Sequence, residues 1–211
     1  MKKIAAAVLL CTMGNAHAFL LREPVLIYKD PESVLEFYSF IAPEYTSNQG
    51  SLDALNKWKP ASAPVRITEF KAEDGGTKFL MCRGSYPLYA PGKVSYEAFL
   101  ANSIKHDLSQ VGLYADDAPT ELTGYIKKID FTSMGNPQWE IEAVFSTPGR
   151  QPVTVRHTYS FETKGRAAEI CDSVTGWFSY AVGDFLEKLY TDPGFKQLIE
   201  TKPPAQPQAQ Q

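Results

Sequence analysis

Cys82, Cys171, His106 and His157 are the side chains whose types could act together as nucleophile, general base or metal ligands. A cysteine nucleophile would need a reduced thiol beside an imidazole. A zinc site built from all four would need ligands at short spacing. None of the four is close to another in sequence, and no CxxC step is present. The third possibility is a disulfide, and the redox compartment decides among the three.

The first eighteen residues, MKKIAAAVLLCTMGNAHA, bear on that point. Lys2 and Lys3 form a basic start, Ile4 to Cys11 an apolar run, and Ala16-His17-Ala18 a small-x-small step. This is the pattern of a secretory signal peptide with cleavage after Ala18, and the run is too short for a membrane span. Export would place the chain in the periplasm. It would also leave Cys82 and Cys171 as an even pair in an oxidising compartment, so a disulfide is expected. Leu10, directly before Cys11, is not the small residue that a bacterial lipidation motif requires. No lipid anchor is therefore expected.

The remaining titratable residues suggest no catalytic group. His106 lies between Lys105 and Asp107 on the polar side of its helix, which reads as solvated. His157 falls on the apolar parity of its strand and reads as a hydrogen-bonded core residue. Asp116-Asp117 reads as a turn and Lys127-Lys128 as an exposed bulge. Motifs for a nucleophile elbow, a metalloprotease, a phosphate loop, a dinucleotide fold and a calcium loop are all absent from the sequence. The expectation is a non-enzymatic protein with no catalytic residue, metal or cofactor.

Removal of the signal would leave 19 basic against 24 acidic side chains, a net charge of −5. That balance disfavours nucleic acid as a partner. No later stretch approaches the 18 consecutive apolar residues of a transmembrane helix. The best candidate for contact is SYPLYAPG (85–92) with the arginine just before it: Arg83, Tyr86, Pro87 and Tyr89. Two prolines stiffen this stretch, and stiff aromatic segments bind at low entropic cost. The competing reading folds both tyrosines over the edge of the core.

These residues need elements to hold them. Residues 19–64 read as an N-terminal extension, with a short strand at 24–28 and helices at 30–40 and 51–58, the second capped by Ser51. From Val65, VRITEFKA and TKFLMCR read as two strands joined by the EDGG turn as a hairpin. The second is apolar at both parities and is expected to be central. A loop over 84–94 leads to a helix from Tyr96 to about Val111, whose apolar positions form one stripe. Strands follow at 120–133, with a bulge at Lys127-Lys128, at 138–146 and at 152–162. A long helix runs from about Arg166 to Tyr190, and a short one ends at Ile199. The Pro/Gln-rich tail 201–211 has nothing to bury.

The expected fold of 65–200 is α+β: one mainly antiparallel sheet of about five strands with two long helices on one face, in the order ββαβββα. Cys82 shares strand parity with Leu80, and Cys171 lies on the stripe of the last helix. A bridge between them would staple helix to sheet across 89 residues of chain.

The Cys82-Arg83 step, YPLYAPG, SYEAFLANSIKHDLSQVGLY, ELTGYIKKIDFTS, QWEIEAVFS, the second cysteine in AAEIC and DPGF together resemble a group of small Gram-negative envelope proteins. These look related to YajG-like lipoproteins and, more distantly, to transport-auxiliary lipoproteins. The resemblance implies an envelope location and a two-layer α/β module, and it supplies no catalytic residue. The functional expectation is a periplasmic accessory or binding protein contacting another envelope component, a protein or a lipid. The alternative is a lipid or small-molecule carrier with a groove between helices and sheet.

Overall fold

In a computed structural model, residues 39–68, 70–73 and 75–201 are described. The expected signal peptide, the strand at 24–28, nearly all of the 30–40 helix and the tail from 202 lie outside the described residues.

The class is α+β, built on two sheets. The larger holds β2 (Val65–Ile67), β3 (Lys71–Ala72), β6 (Thr120–Thr132), β7 (Gln138–Ser146) and β8 (Val153–Ser160). β6, β7 and β8 pair antiparallel, while β2 and β3 both run parallel to β6 along its other edge. The register between β6 and β7 shifts between Ile126 and Lys128, so the expected bulge falls on Lys127. Alternation works as read on β7: Trp139, Ile141, Ala143 and Phe145 are all buried.

The smaller sheet has the order β1-β5-β4, from β1 (Phe40–Ile41), β5 (Tyr86–Tyr89) and β4 (Phe79–Cys82). This corrects three expectations. EDGG does not close a hairpin between 65–72 and 77–83. Gly75 N–H donates to the Ala72 carbonyl and the chain turns, but β3 is already paired with β6 and β4 joins another sheet. β4 is an edge strand rather than a central one; its outer residues Phe79 and Met81 are exposed. The loop expected over 84–94 contains β5, which pairs with β4 through the nearest available turn. Pro87 is tolerated there because the ladder with β1 covers only Leu88 and Tyr89.

Five α-helices stand among the described residues: α1 (Gln49–Trp58), α2 (Tyr96–Gln110), α3 (Ala167–Gly176), α4 (Phe178–Thr191) and α5 (Pro193–Ile199). Asn48, not Ser51, caps α1; its side-chain oxygen accepts the Ser51 N–H at 2.6 Å. α2 ends as its Gly112 suggested. Gly112 takes φ +72°, with Leu113 N–H on the Leu108 carbonyl and Gly112 N–H on that of Ser109. The single long helix expected at 166–190 is two, broken at Trp177 with φ −85° and ψ −8°. The break lets α3 carry Cys171 to the small sheet while α4 lies on the large one.

The core lies between the large sheet and α4. Phe178 meets Trp139 with ring centroids 4.7 Å apart, and Phe185 meets Phe145 at 6.1 Å. The Trp139 indole N–H donates to the Val174 carbonyl at 2.9 Å, beside the break. Leu100, Ile104 and Leu108 of α2 are fully buried, as the stripe required.

Candidate functional site

The β4–β5 hairpin carries Cys82 and the four expected contact residues, Arg83, Tyr86, Pro87 and Tyr89. Cys82 and Cys171 are bridged, with Cα atoms 5.9 Å apart and both side chains fully buried. The bridge pins the small sheet to α3, and it removes both thiols from nucleophilic or metal chemistry. Ser85 N–H donates to the Cys82 carbonyl at 3.2 Å to close the turn. Its two central residues, Arg83 and Gly84, are left-handed at φ +53° and +69°.

Strand alternation splits the four expected contact residues. Tyr86 shares the inner parity of Leu88 and Cys82. Its ring lies 5.9 Å from that of Phe40. Pro87 and Tyr89 have the outer parity, but Pro87 is buried. Arg83 projects from the turn and is exposed. Tyr86 and Tyr89 therefore cannot form one patch, as reading along the loop had implied.

The outer face holds what the sequence reading missed. Ile41, Tyr89 and Phe79 stand in one row across β1, β5 and β4, and Met81 comes two residues on. Ile41 is 51% exposed, Phe79 43% and Met81 44%. Phe79 and Tyr89 have ring centroids 5.7 Å apart. Adjacent large apolar groups left in water differ from scattered ones and point to a contact surface. The signal was in FLMC, apolar at both parities: one parity faces α3 and the other faces out.

Arg83 also borders a surface cleft of about 770 Å³. The cleft lies at one end of the large sheet, between the β6–β7 connection and the residues following β8. One Arg83 guanidinium nitrogen donates to the Ser133 carbonyl at 2.9 Å.

A second constellation is buried. Asp107 of α2 is fully buried, with Tyr45 OH donating to it at 2.8 Å and the Ser47 hydroxyl donating to its other oxygen. The hydroxyl of fully buried Tyr190 lies near the same carboxylate without completing a hydrogen bond. Burial pushes the Asp107 carboxyl up, against the hydrogen bonds from Ser47 and Tyr45 that hold it down. Burial and the neighbouring carboxylate push the Tyr45 phenol far above its usual range. These contacts tie the 42–48 segment to α2. Further anchors are Ala42 N–H on the Tyr89 carbonyl and the Ser179 hydroxyl on that of Pro43. Sequence reading assigned Asp107 no role, yet it sits three residues after Ile104 and four after buried Ser103, on the edge of the buried stripe.

The other polar candidates do not converge. His106 is exposed, as expected, with its ring edge-on to Tyr45. His157 is half-buried and its Nε2 has no hydrogen-bond partner, which departs from the hydrogen-bonded core residue expected. Burial pulls its pKa down, partly offset by Asp184. Lys128 pairs with Glu140 at 2.6 Å, and Asp116 with Tyr114 and Lys105. No group of three or more potential metal ligands occurs among the described residues. No helix there is long and apolar enough to cross a membrane.

No family model matches the chain, and neither does any curated protein. Among solved structures it is similar to protein XCC0632 from Xanthomonas campestris, described under family model DUF330. The TM-score is 0.47 at 10% identity, over 76% of this chain and 94% of that one. It is also similar to an uncharacterised protein at TM-score 0.40 and 9% identity, over 72% of this chain and 99% of that one.

Proposed function

We propose that this chain is a non-enzymatic accessory protein of the bacterial periplasm that binds another protein of the envelope through the outer face of the small sheet. One observation carries the reading: Ile41, Phe79 and Met81 stay exposed together on a sheet whose other face is stapled to α3. Leaving three large apolar side chains in water forgoes about 25 cal/mol for each Å² that a partner would cover. β4 is also an edge strand, to which an extended partner segment can add. The basic-apolar-small pattern of residues 1–18 and the bridged cysteines support export to an oxidising compartment. The sequence resemblance to YajG-like and transport-auxiliary envelope proteins points the same way. The carrier alternative has less support, because aromatic rings fill the space between α4 and the large sheet.

The test is site-specific photocrosslinking in intact cells. A photoreactive residue at Phe79 or Met81 should give one discrete protein adduct, and the same residue at exposed Tyr180 should not. Ile41→Glu should abolish the adducts without lowering the melting temperature. No adduct at Phe79 or Met81, or equal adducts at Tyr180, would overturn the reading.

A further inference from the structure

We infer that the cleft beside Arg83 is a second contact point, one that binds a carboxylate carried on an extended peptide segment. The inference deepens the binding-protein reading above and rests on it for the partner's being a protein.

Arg83 holds a left-handed backbone at φ +53°, a conformation that disfavours any residue with a Cβ by roughly 1–2 kcal/mol. Such strain persists where a side chain must be aimed. Here the aim is across the gap to the β6–β7 connection, where a single N–H meets the Ser133 carbonyl. A guanidinium carries five N–H donors. Among the described residues Arg83 has no other hydrogen-bond partner and no acidic group within ion-pair reach. The remaining donors suit the two oxygens of a carboxylate, which a planar fork grips in a bidentate way.

The walls suggest what carries the carboxylate. The cleft reaches the first pair of the β7–β8 ladder, Gln138 opposite Ser160, so strand ends and side-chain amides border it. Asn136 offers both donor and acceptor, as a peptide backbone needs, and Gln138, whose amide already donates to Glu140 at 2.9 Å, adds its carbonyl oxygen. Met134, 66% exposed at the hairpin tip, and Phe161 give an apolar side chain a place to rest. Lys164 supplies a second cation. Its neighbour Glu162 lies 3.6 Å from it, and both side chains are 88% exposed, so water screens that pair. A volume near 770 Å³ lies within the range of small-ligand sites and holds a few residues of chain. Arg83 and one water-screened lysine among amides and apolar groups fit a peptide acid better than a phosphate, for which a tighter cluster of cations or a backbone N–H cradle would be expected.

The experiment uses purified residues 19–211, oxidised and ¹⁵N-labelled. The probe is an acetylated, amidated hexapeptide of alternating Leu and Glu; its Gln counterpart and inorganic phosphate are the comparison arms. The Glu peptide should shift amide resonances of 133–138 and 160–164, and the Gln peptide should not. Arg83→Gln should weaken binding at least tenfold, Arg83→Lys less, and Lys164→Gln a few-fold, with melting temperatures unchanged. Equal binding of the Gln peptide, or affinity indifferent to both Arg83 and Lys164, would overturn the inference. So would phosphate binding as tightly as the Glu peptide at the same resonances, which would make this a simple anion site. These measurements need no native partner, so their failure leaves the crosslinking test of the apolar face standing.

Discussion

Breaking the Cys82–Cys171 bridge tests how the small sheet is held. The bridge closes a loop of 89 residues that contains β5 to β8 and α2. Restricting the unfolded chain over that length is worth about 4–5 kcal/mol in the loop-entropy model. A urea slope of about 2 kcal/mol/M converts this into a midpoint lowered by roughly 2 M. In thermal unfolding, at about 2–4 °C per kcal/mol for a chain this long, the loss is roughly 8–20 °C. The assay is urea unfolding followed by tryptophan fluorescence, on oxidised protein, reduced protein and Cys82→Ala/Cys171→Ala. Reduced and double-alanine proteins should fall together, because the model places the effect in the unfolded chain. Both should show a steeper slope, since an unlinked chain exposes more surface. If reduction moves the midpoint by less than about 0.5 M, the entropic reasoning is wrong. If only the alanine variant falls, the two buried sulfurs stabilise by packing and not as a link.

Asp107→Ala should cost about 2–5 kcal/mol by urea unfolding, because the Tyr45 and Ser47 hydroxyls lose their acceptor. Asp107→Asn should cost less and also change the pH profile. Burial raises the Asp107 carboxyl above its unfolded value, so wild type should gain stability relative to the Asn variant as pH falls through the folded pKa, and lose that gain as pH rises; a flat difference between pH 4 and 7 would refute this. Tyr190→Phe should be neutral or slightly stabilising, since the hydroxyl it removes has no completed hydrogen bond; a loss beyond about 1 kcal/mol would mean that it does. In Gly124→Ala the new Cβ would lie 2.6 Å from the ring of buried Phe70, costing about 1–3 kcal/mol, and Phe70→Leu should recover part of the loss. The His157 imidazole should titrate by NMR below its usual value, with its share of stability full above about pH 6.5 and eroding as pH falls from there; a midpoint at or above 6.5 would refute the burial argument.

Features governed by short-range rules were legible in the residues alone. Alternation in β7 and β8, the bulge at Lys127, the stripe and glycine stop of α2, and the facing of Cys82 and Cys171 all follow from periods of 2 and 3.6 residues. Where a strand pairs is not written in its own residues. β3 could join β4 through EDGG or run beside β6, and only the assembled β6 edge settled the choice. The same holds for the contact surfaces. Phe79 and Met81 read as core because apolar residues usually are; their exposure depends on no described strand or helix covering that side of β4. Asp107 drew no role from its own place in the sequence. Its burial depends on Tyr45 and Ser47, 62 and 60 residues away in the chain, arriving with hydroxyls to satisfy it. Burial is a property of neighbours, and the distant ones are chosen by the tertiary fold.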